Sequence, residues 1–313
     1  MDLLQYFAVF LAGVVLLALG ANWLVRGAVS ISETLGIPRH VVGLTVVALG
    51  TSAPELFVNL LAAVRGDTAL ALSNVSGSNL ANVCVGFGLC AMAGQVMVRK
   101  SEFRSDLILV VVVPLLVTVL FFTNAQRHLP LAAIPILTLS LVYYLYTLRG
   151  RNPAEDELDA PPQSIAIGLL FFVIGVVSLY FGGELVVGSA KNVALTLGVT
   201  ESVIGLTIVA GGTSVPDVLA SVIAARKKEF GIAVGNLLGS NISNLVVVLN
   251  GTIIISRQPL PTDTFVRLDY FAVILTSGLA ASVAMARNAI GRPTAYTLLA
   301  VYFGYMVFRV MSQ

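Results

Sequence analysis

The chain repeats itself. At an offset of 162 residues, without a gap, Gly13 meets Gly175, Gly43-Leu44-Thr45 meets Gly205-Leu206-Thr207, and Gly77-Ser78-Asn79 meets Gly239-Ser240-Asn241. Register held over that distance marks an internal duplication. Each copy carries apolar runs able to cross a bilayer, about 17–25 residues apiece. They fall near 4–25, 40–64, 69–95, 107–123 and 129–148, then near 164–190, 201–225, 230–255, 269–286 and 293–311. Five crossings is an odd number, so the second copy enters the membrane from the opposite face. The predicted fold is an all-α membrane protein of ten transmembrane helices arranged as two inverted five-helix repeats. The first repeat covers 1–148 and the second 164–313, with the polar stretch 149–163 as linker.

Composition agrees. Only 11% of the 313 residues are charged and 57% are hydrophobic, whereas a soluble domain carries about 25% charged residues. Such a chain has too little polar surface to face water all round. Its net charge of +2 is small and its basic residues form no patch, which argues against a nucleic-acid partner. With the N-terminus outside, twelve of the 18 Lys and Arg, among them Arg99, Lys100, Arg104 and Arg226-Lys227-Lys228, lie on the cytoplasmic side. The positive-inside bias therefore puts both termini outside. Met-Asp-Leu-Leu-Gln lacks the basic start of a signal peptide, so the first run is expected to remain as a span. Cys84 and Cys90 lie six apart in an apolar run and read as packing residues. Trp23, His40, His128, Glu184 and its repeat counterpart Asn22 read as interface residues, and Glu33, Asp67, Glu102 and Asp106 as charges at loops or span edges.

Within this apolar background one polar motif occurs twice, as Gly50-Thr-Ser-Ala-Pro54-Glu55 and Gly212-Thr-Ser-Val-Pro216-Asp217. Proline and a carboxylate are both costly at membrane depth, so their paired recurrence asks for a function. On a helix Thr51, Ser52 and Glu55 share a face. Proline has no N–H to return to the carbonyl of Gly50, or of Gly212. A second repeat follows: Ser78 and Asn82 four apart, and Ser240 and Asn244 four apart, beside Gly77 and Gly239, which let a neighbouring backbone approach. The four core segments contain no Lys or Arg to neutralise Glu55 and Asp217. Two bare carboxylates in lipid require a cation or a proton. Two negative charges with hydroxyl, amide and carbonyl oxygens suit a hard cation such as Ca²⁺, which takes about 6–8 oxygen ligands. The absence of Cys and His from the motifs argues against zinc or copper.

The pairs GTSAPE with NVSGSN, and GGTSVPD with NLLGSN, resemble the two alpha-repeats of the sodium/calcium exchangers, in the calcium/cation antiporter superfamily. The resemblance spans essentially the whole chain. It implies a core of the two proline-bearing and the two Gly-Ser-Asn helices, with the first and sixth spans as a mobile pair sliding across it. It implies Glu55 and Asp217 as central Ca²⁺ ligands, helped by Thr51, Thr213 and the backbone carbonyls of Ala48 and Ala210. Ser52, Ser78, Ser214 and Ser240 would complete flanking Na⁺ sites, with Asn82 and Asn244 facing the central cavity. Asp217 stands where many sodium/calcium exchangers have glutamate, a feature shared with potassium-dependent members. Asn244 stands where those members place aspartate, and Ser73 replaces the glycine expected before Asn74.

The expected function is a secondary antiporter exchanging Na⁺ for Ca²⁺ by alternating access, without K⁺ or a cofactor, in a monomeric transport unit. A proton/calcium antiporter using the same carboxylates is the nearest rival, although the extra glutamates of that branch are missing. A cation channel is the rival of another class. No nucleophile–base pair, metal-ligand cluster or phosphate loop points to an enzyme.

Overall fold

The computed structural model describes residues 3–122, 128–151, 164–196, 212–258, 260–261 and 264–311. It is helical nearly throughout. The helices are α1 (Leu3–Leu35), α2 (Arg39–Thr51), α3 (Ala53–Arg65), α4 (Leu70–Ala93), α5 (Lys100–Phe122), α6 (Ala133–Leu148), α7 (Ile165–Thr196), α8 (Val215–Arg226), α9 (Phe230–Ser256), α10 (Thr264–Arg287) and α11 (Arg292–Met311). Seven of these are long and apolar enough to cross a membrane, and α2 with α3 makes an eighth as one bent span. α6, at 16 residues, is shorter. The expected span 201–225 is described only from Gly212 onward. Two two-residue strand pairs add to the helices: β1 (Val96–Met97) with β4 (Ala289–Ile290), and β2 (His128–Leu129) with β3 (Leu260–Pro261), both antiparallel.

α1 and α7 are the longest helices and lie antiparallel. Their contact is set by glycine. An added Cβ at Gly13 would stand 3.0 Å from the Gly182 carbonyl oxygen, at Gly20 3.1 Å from that of Gly175, and at Gly27 2.7 Å from that of Gly168. Lipid supplies no hydrophobic drive to join helices, so close backbone approach across small residues is what holds such a pair.

The bend between α2 and α3 is 48°. Pro54 sits in the first turn of α3, where its missing N–H costs nothing. Ser52, at the break, has φ −87° and ψ 8°. Ser214, before α8 and its Pro216, has nearly the same backbone, φ −84° and ψ −2°. α4 and α9 run through the middle, α9 buried almost end to end. Among the described residues three stretches are wound as π-helix: Gly43–Val47, Asn82–Gly86 and Asn244–Leu249. π turns inside α-helices concentrate at functional sites. Here two of them begin at the repeated asparagines.

Charges expected at span edges do structural work. Asp106 is wholly buried in α5 and receives the Arg151 guanidinium at 2.9 Å, with further donation from Arg151 to the Glu102 carbonyl at 2.9 Å. Asp269 of α10 holds Arg309 of α11 at 3.2 Å and accepts the Tyr305 hydroxyl at 2.5 Å. Arg39 bridges Glu33 at 3.0 Å and Glu229 at 2.9 Å. His40, in the first turn of α2, is buried edge-on to Phe103 with centroids 5.7 Å apart. Asp67 caps α4 through the Leu70 amide. Removing one partner of a buried pair strands the other charge, at about 3–5 kcal/mol. Arg151→Leu is therefore expected to lower the thermal midpoint in detergent sharply, and adding Asp106→Leu to restore most of it. A single variant as stable as the parent would show that this pair does not hold α5 to the end of α6.

Candidate functional site

The two proline breaks bring the carboxylates to the centre. Glu55 opens α3 and Asp217 opens α8, and both side chains are fully buried. α4 passes between them with Ser78 and Asn82 one turn apart on a single face, about 5.4 Å along the axis. Ser78 Oγ donates to Glu55 Oε1 at 3.4 Å and Asn82 Nδ2 to Asp217 Oδ2 at 2.8 Å. The acids thus address adjacent turns of one helix. Ser52, three residues before Glu55, also donates to Asp217 Oδ2, at 3.4 Å, and Ser240 of α9 donates to Asp217 Oδ1 at 3.0 Å. Among the described residues no basic side chain pairs with either acid.

The surrounding hydrogen bonds cross between the copies. Thr51 Oγ1 donates to Asn236 Oδ1 at 2.9 Å, and Thr213 Oγ1 to Asn74 Oδ1 at 3.4 Å. Thr213 Oγ1 is also 3.4 Å from Ser78 Oγ. Asn79 and Asn241 each donate to the other's backbone carbonyl, at 3.1 and 3.2 Å. Asn74 and Asn236 are anchored in turn by Asn59 at 2.7 Å and Ser221 at 2.9 Å. Gly239 permits the approach that makes this possible: its Cβ would lie 2.4 Å from the Leu44 carbonyl oxygen. That oxygen, in the first π stretch, turns out to accept the Tyr144 hydroxyl at 2.6 Å. The Ala48 carbonyl accepts the Ser52 amide at 3.0 Å and faces Thr51 Oγ1 at 3.4 Å. Ala210 lies outside the described residues.

The two halves of the site differ. Asp217 has both oxygens engaged by three donors. Among the described residues Glu55 has only Ser78, because the counterparts of Asp217's other donors turn elsewhere: Asn244 Nδ2 goes to Asn79 Oδ1 at 3.1 Å, and Ser214 Oγ has no partner there. The outcome is a set of wholly buried oxygens with no hydrogen-bond partner among the described residues, namely Glu55 Oε2, Asn82 Oδ1, Asn244 Oδ1 and Ser214 Oγ. An unsatisfied buried polar atom costs about 1–3 kcal/mol. Four in one place, one of them on a carboxylate, form an acceptor-rich environment of the kind a hard cation takes up. No cluster of three His, Cys, Asp or Glu occurs among the described residues, so the arrangement does not suit zinc.

Of the residues the sequence groups, hydrogen bonds tie Thr51, Ser52, Glu55, Ser78, Asn82, Thr213, Asp217, Ser240 and Asn244 to one another or to the repeated asparagines, and Ser214 lies buried at the head of α8, three residues before Asp217, without a side-chain bond to them. Sequence reasoning did not give a role to Asn74, Asn79, Asn236 or Asn241. Their exact recurrence at the repeat offset was the available signal. Glu184, read as interfacial, lines a cavity of about 170 Å³ together with Pro54, Thr213 and Pro216. A contiguous cavity of about 350 Å³, mainly apolar, runs past Gly50, Thr51 and Pro54 along α7.

Comparison with known proteins agrees with this geometry. The profile of the sodium/calcium exchanger protein family matches residues 5–149 and again 167–311, the second match shifted by the repeat offset. An uncharacterised membrane protein of Methanocaldococcus jannaschii is 30% identical over 237 residues, covering 75% of this chain and 77% of its own. The sodium/calcium exchanger MaX1 of Methanosarcina acetivorans is 27% identical over 287 residues, covering 78% and 81%. Among solved structures, the sodium-calcium exchanger NCX_Mj soaked with Na⁺ and Sr²⁺ superimposes with a TM-score of 0.84 at 26% identity, covering 98% of this chain and 99% of that one.

Proposed function

The chain belongs to the sodium/calcium exchanger family, and from that premise we propose that it exchanges Na⁺ for Ca²⁺ across the membrane by alternating access, without K⁺. The observation that carries the reading is the buried carboxylate pair with no basic partner, set among unpartnered oxygens. Ca²⁺ would be held by Glu55 and Asp217, with Thr51, Thr213 and the carbonyls of Ala48 and Ala210 contributing. Na⁺ would use Ser52, Ser78, Ser214 and Ser240, with Asn82 and Asn244 turned to the same space. Both ions draw on the same carboxylates, so they compete. Occupancy neutralises the pair, which lowers the cost of moving α1 and α7 past it, whereas the bare doubly charged site resists that passage. Exchange, rather than leak, follows from this difference.

The architecture we assign is ten spans in two inverted repeats, 1–148 and 164–313, joined by 149–163, with both termini outside. The antiparallel α1–α7 pair, the matching backbone at Ser52 and Ser214, and two strand pairs that each join one half to the other support it. Asn244, a neutral amide, supports K⁺ independence. The transport unit is a monomer.

Flux in proteoliposomes with Na⁺, K⁺ and H⁺ gradients imposed separately tests the reading. A Na⁺ gradient is expected to drive calcium uptake against its own gradient, and K⁺ to leave the rate unchanged. Uptake driven by a pH jump and indifferent to Na⁺ would replace the proposal with proton/calcium exchange. Conductance at channel rates without counterflow would remove it from the antiporters.

A further inference from the structure

One acid is left over by this mechanism. Glu184 lies on α7 between Gly183, whose Cβ would come within 3.8 Å of Pro216 Cγ, and Val187, whose Cγ2 would stand 2.4 Å from a Cβ at Gly212. The helix therefore presses on the second proline break, and Glu184 is carried at that contact on the wall of the 170 Å³ cavity. It is the only charged residue among the described residues lining it, and its side chain is exposed at the protein surface. Among the described residues it makes neither a hydrogen bond nor an ion pair. A charge with a structural duty on this helix pair would have a partner.

The opposite wall carries Thr213. Its Oγ1 is 3.4 Å from Ser78 Oγ, which donates to Glu55 Oε1 at 3.4 Å. Glu184, Thr213, Ser78 and Glu55 thus follow one another from the protein surface to the centre. The repeat counterpart of Glu184 is the neutral Asn22, on α1, where α1 packs along α8 and Lys227 Nζ reaches the Asn22 carbonyl at 3.4 Å. The acid is present on one side only. We propose that Glu184 with Thr213 forms an entry site for hydrated mono- and divalent cations at the α7 end of the pathway. There it concentrates ions before they shed water at the carboxylate pair. The proposal rests on the exchange reading for its purpose and not for its geometry.

A single carboxylate at a low-dielectric mouth raises local cation concentration, an effect that salt screens. In vesicles of known sidedness at low ionic strength, Glu184→Gln is expected to raise half-saturating calcium about three- to tenfold at the face bearing Glu184, with the maximal rate unchanged. The difference should vanish in concentrated choline chloride, and calcium offered at the other face should show none. An unchanged half-saturation at low ionic strength, or an equal rise from both faces, would overturn the entry site. A second measurement does not need transport. In the Glu55→Gln/Asp217→Asn protein, Mn²⁺ followed by paramagnetic resonance is expected to show weak binding, as a site with one carboxylate and one hydroxyl allows, and adding Glu184→Gln should abolish that binding. Residual binding that survives the third substitution overturns the proposal. A parent protein without Na⁺-driven calcium flux would sink the exchange reading alone, and the Mn²⁺ result would still decide for Glu184.

Discussion

Glu55→Gln is expected to abolish Na⁺-driven calcium uptake while leaving the protein folded. Among the described residues the carboxylate accepts one hydrogen bond, from Ser78 on Oε1. A glutamine oxygen can accept it equally well, and its NH₂ takes the place of Oε2, which has no hydrogen-bond partner among the described residues to lose. Stability should be unchanged or slightly raised. Transport is another matter. One unit charge acting on another at 4 Å is worth about 4 kcal/mol at an effective dielectric constant near 20, and a divalent ion doubles that. At about 1.4 kcal/mol per decade, loss of the charge should weaken calcium at least about a thousandfold. Asp217→Asn should be equally inactive but also less stable, by about 1–3 kcal/mol. Its new NH₂ would confront donors from Ser52, Asn82 or Ser240, whichever way the amide is turned. Radioactive calcium uptake and thermal unfolding, measured on both variants, check this. Near-normal uptake by Glu55→Gln would remove the carboxylate pair from the mechanism.

Gly239→Leu should be more damaging than any substitution of a polar ligand, because it stops α9 from reaching α2. A Cβ at this position stands 2.4 Å from the Leu44 carbonyl oxygen and 2.8 Å from its carbon. Neither can retreat as the end of a flexible side chain could, and the oxygen is already held by Tyr144. Overpacking a close contact costs about 1–3 kcal/mol even where neighbours can adjust. Here backbone must move, and with it Ser240, one residue on, and Asn236, three residues back, which meet Asp217 and Thr51. The expected result is loss of monodisperse protein on size exclusion in detergent. Gly239→Ala should fold with a midpoint lowered by several degrees and impaired uptake. Full stability in Gly239→Leu would mean that the α2–α9 contact is not the close one described.

Much of this was legible in the sequence because duplication doubles every signal. Thr51/Thr213, Ser52/Ser214, Ser78/Ser240 and Asn82/Asn244 stood out as polar residues recurring in apolar runs, and all of them converge. What the sequence did not disclose depends on tertiary partners. The partners of Asp106 and His40 were hidden, since nothing in their neighbourhood names Arg151 or Phe103. Asn79 and Asn241 had no role in the sequence reading, and in the fold each satisfies a backbone carbonyl of the other copy. The unequal treatment of Glu55 and Asp217 was hidden for the opposite reason: a repeat invites the assumption that counterparts do the same thing. The extra methylene of glutamate and the turn of Asn244 toward Asn79 break that equality.

The exchange of hydrogen bonds between copies bears on how the protein is made. When the first half has left the ribosome, Thr51, Ser52, Asn74, Asn79 and Asn82 are already at membrane depth, yet the atoms that satisfy them, on Asn236, Asp217, Thr213 and Asn241, are still untranslated. Thr51 can turn to the Val47 carbonyl and Asn74 keeps Asn59, but the nascent intermediate must carry the rest uncompensated, sheltered by insertion machinery or by water, until synthesis of the remainder releases it.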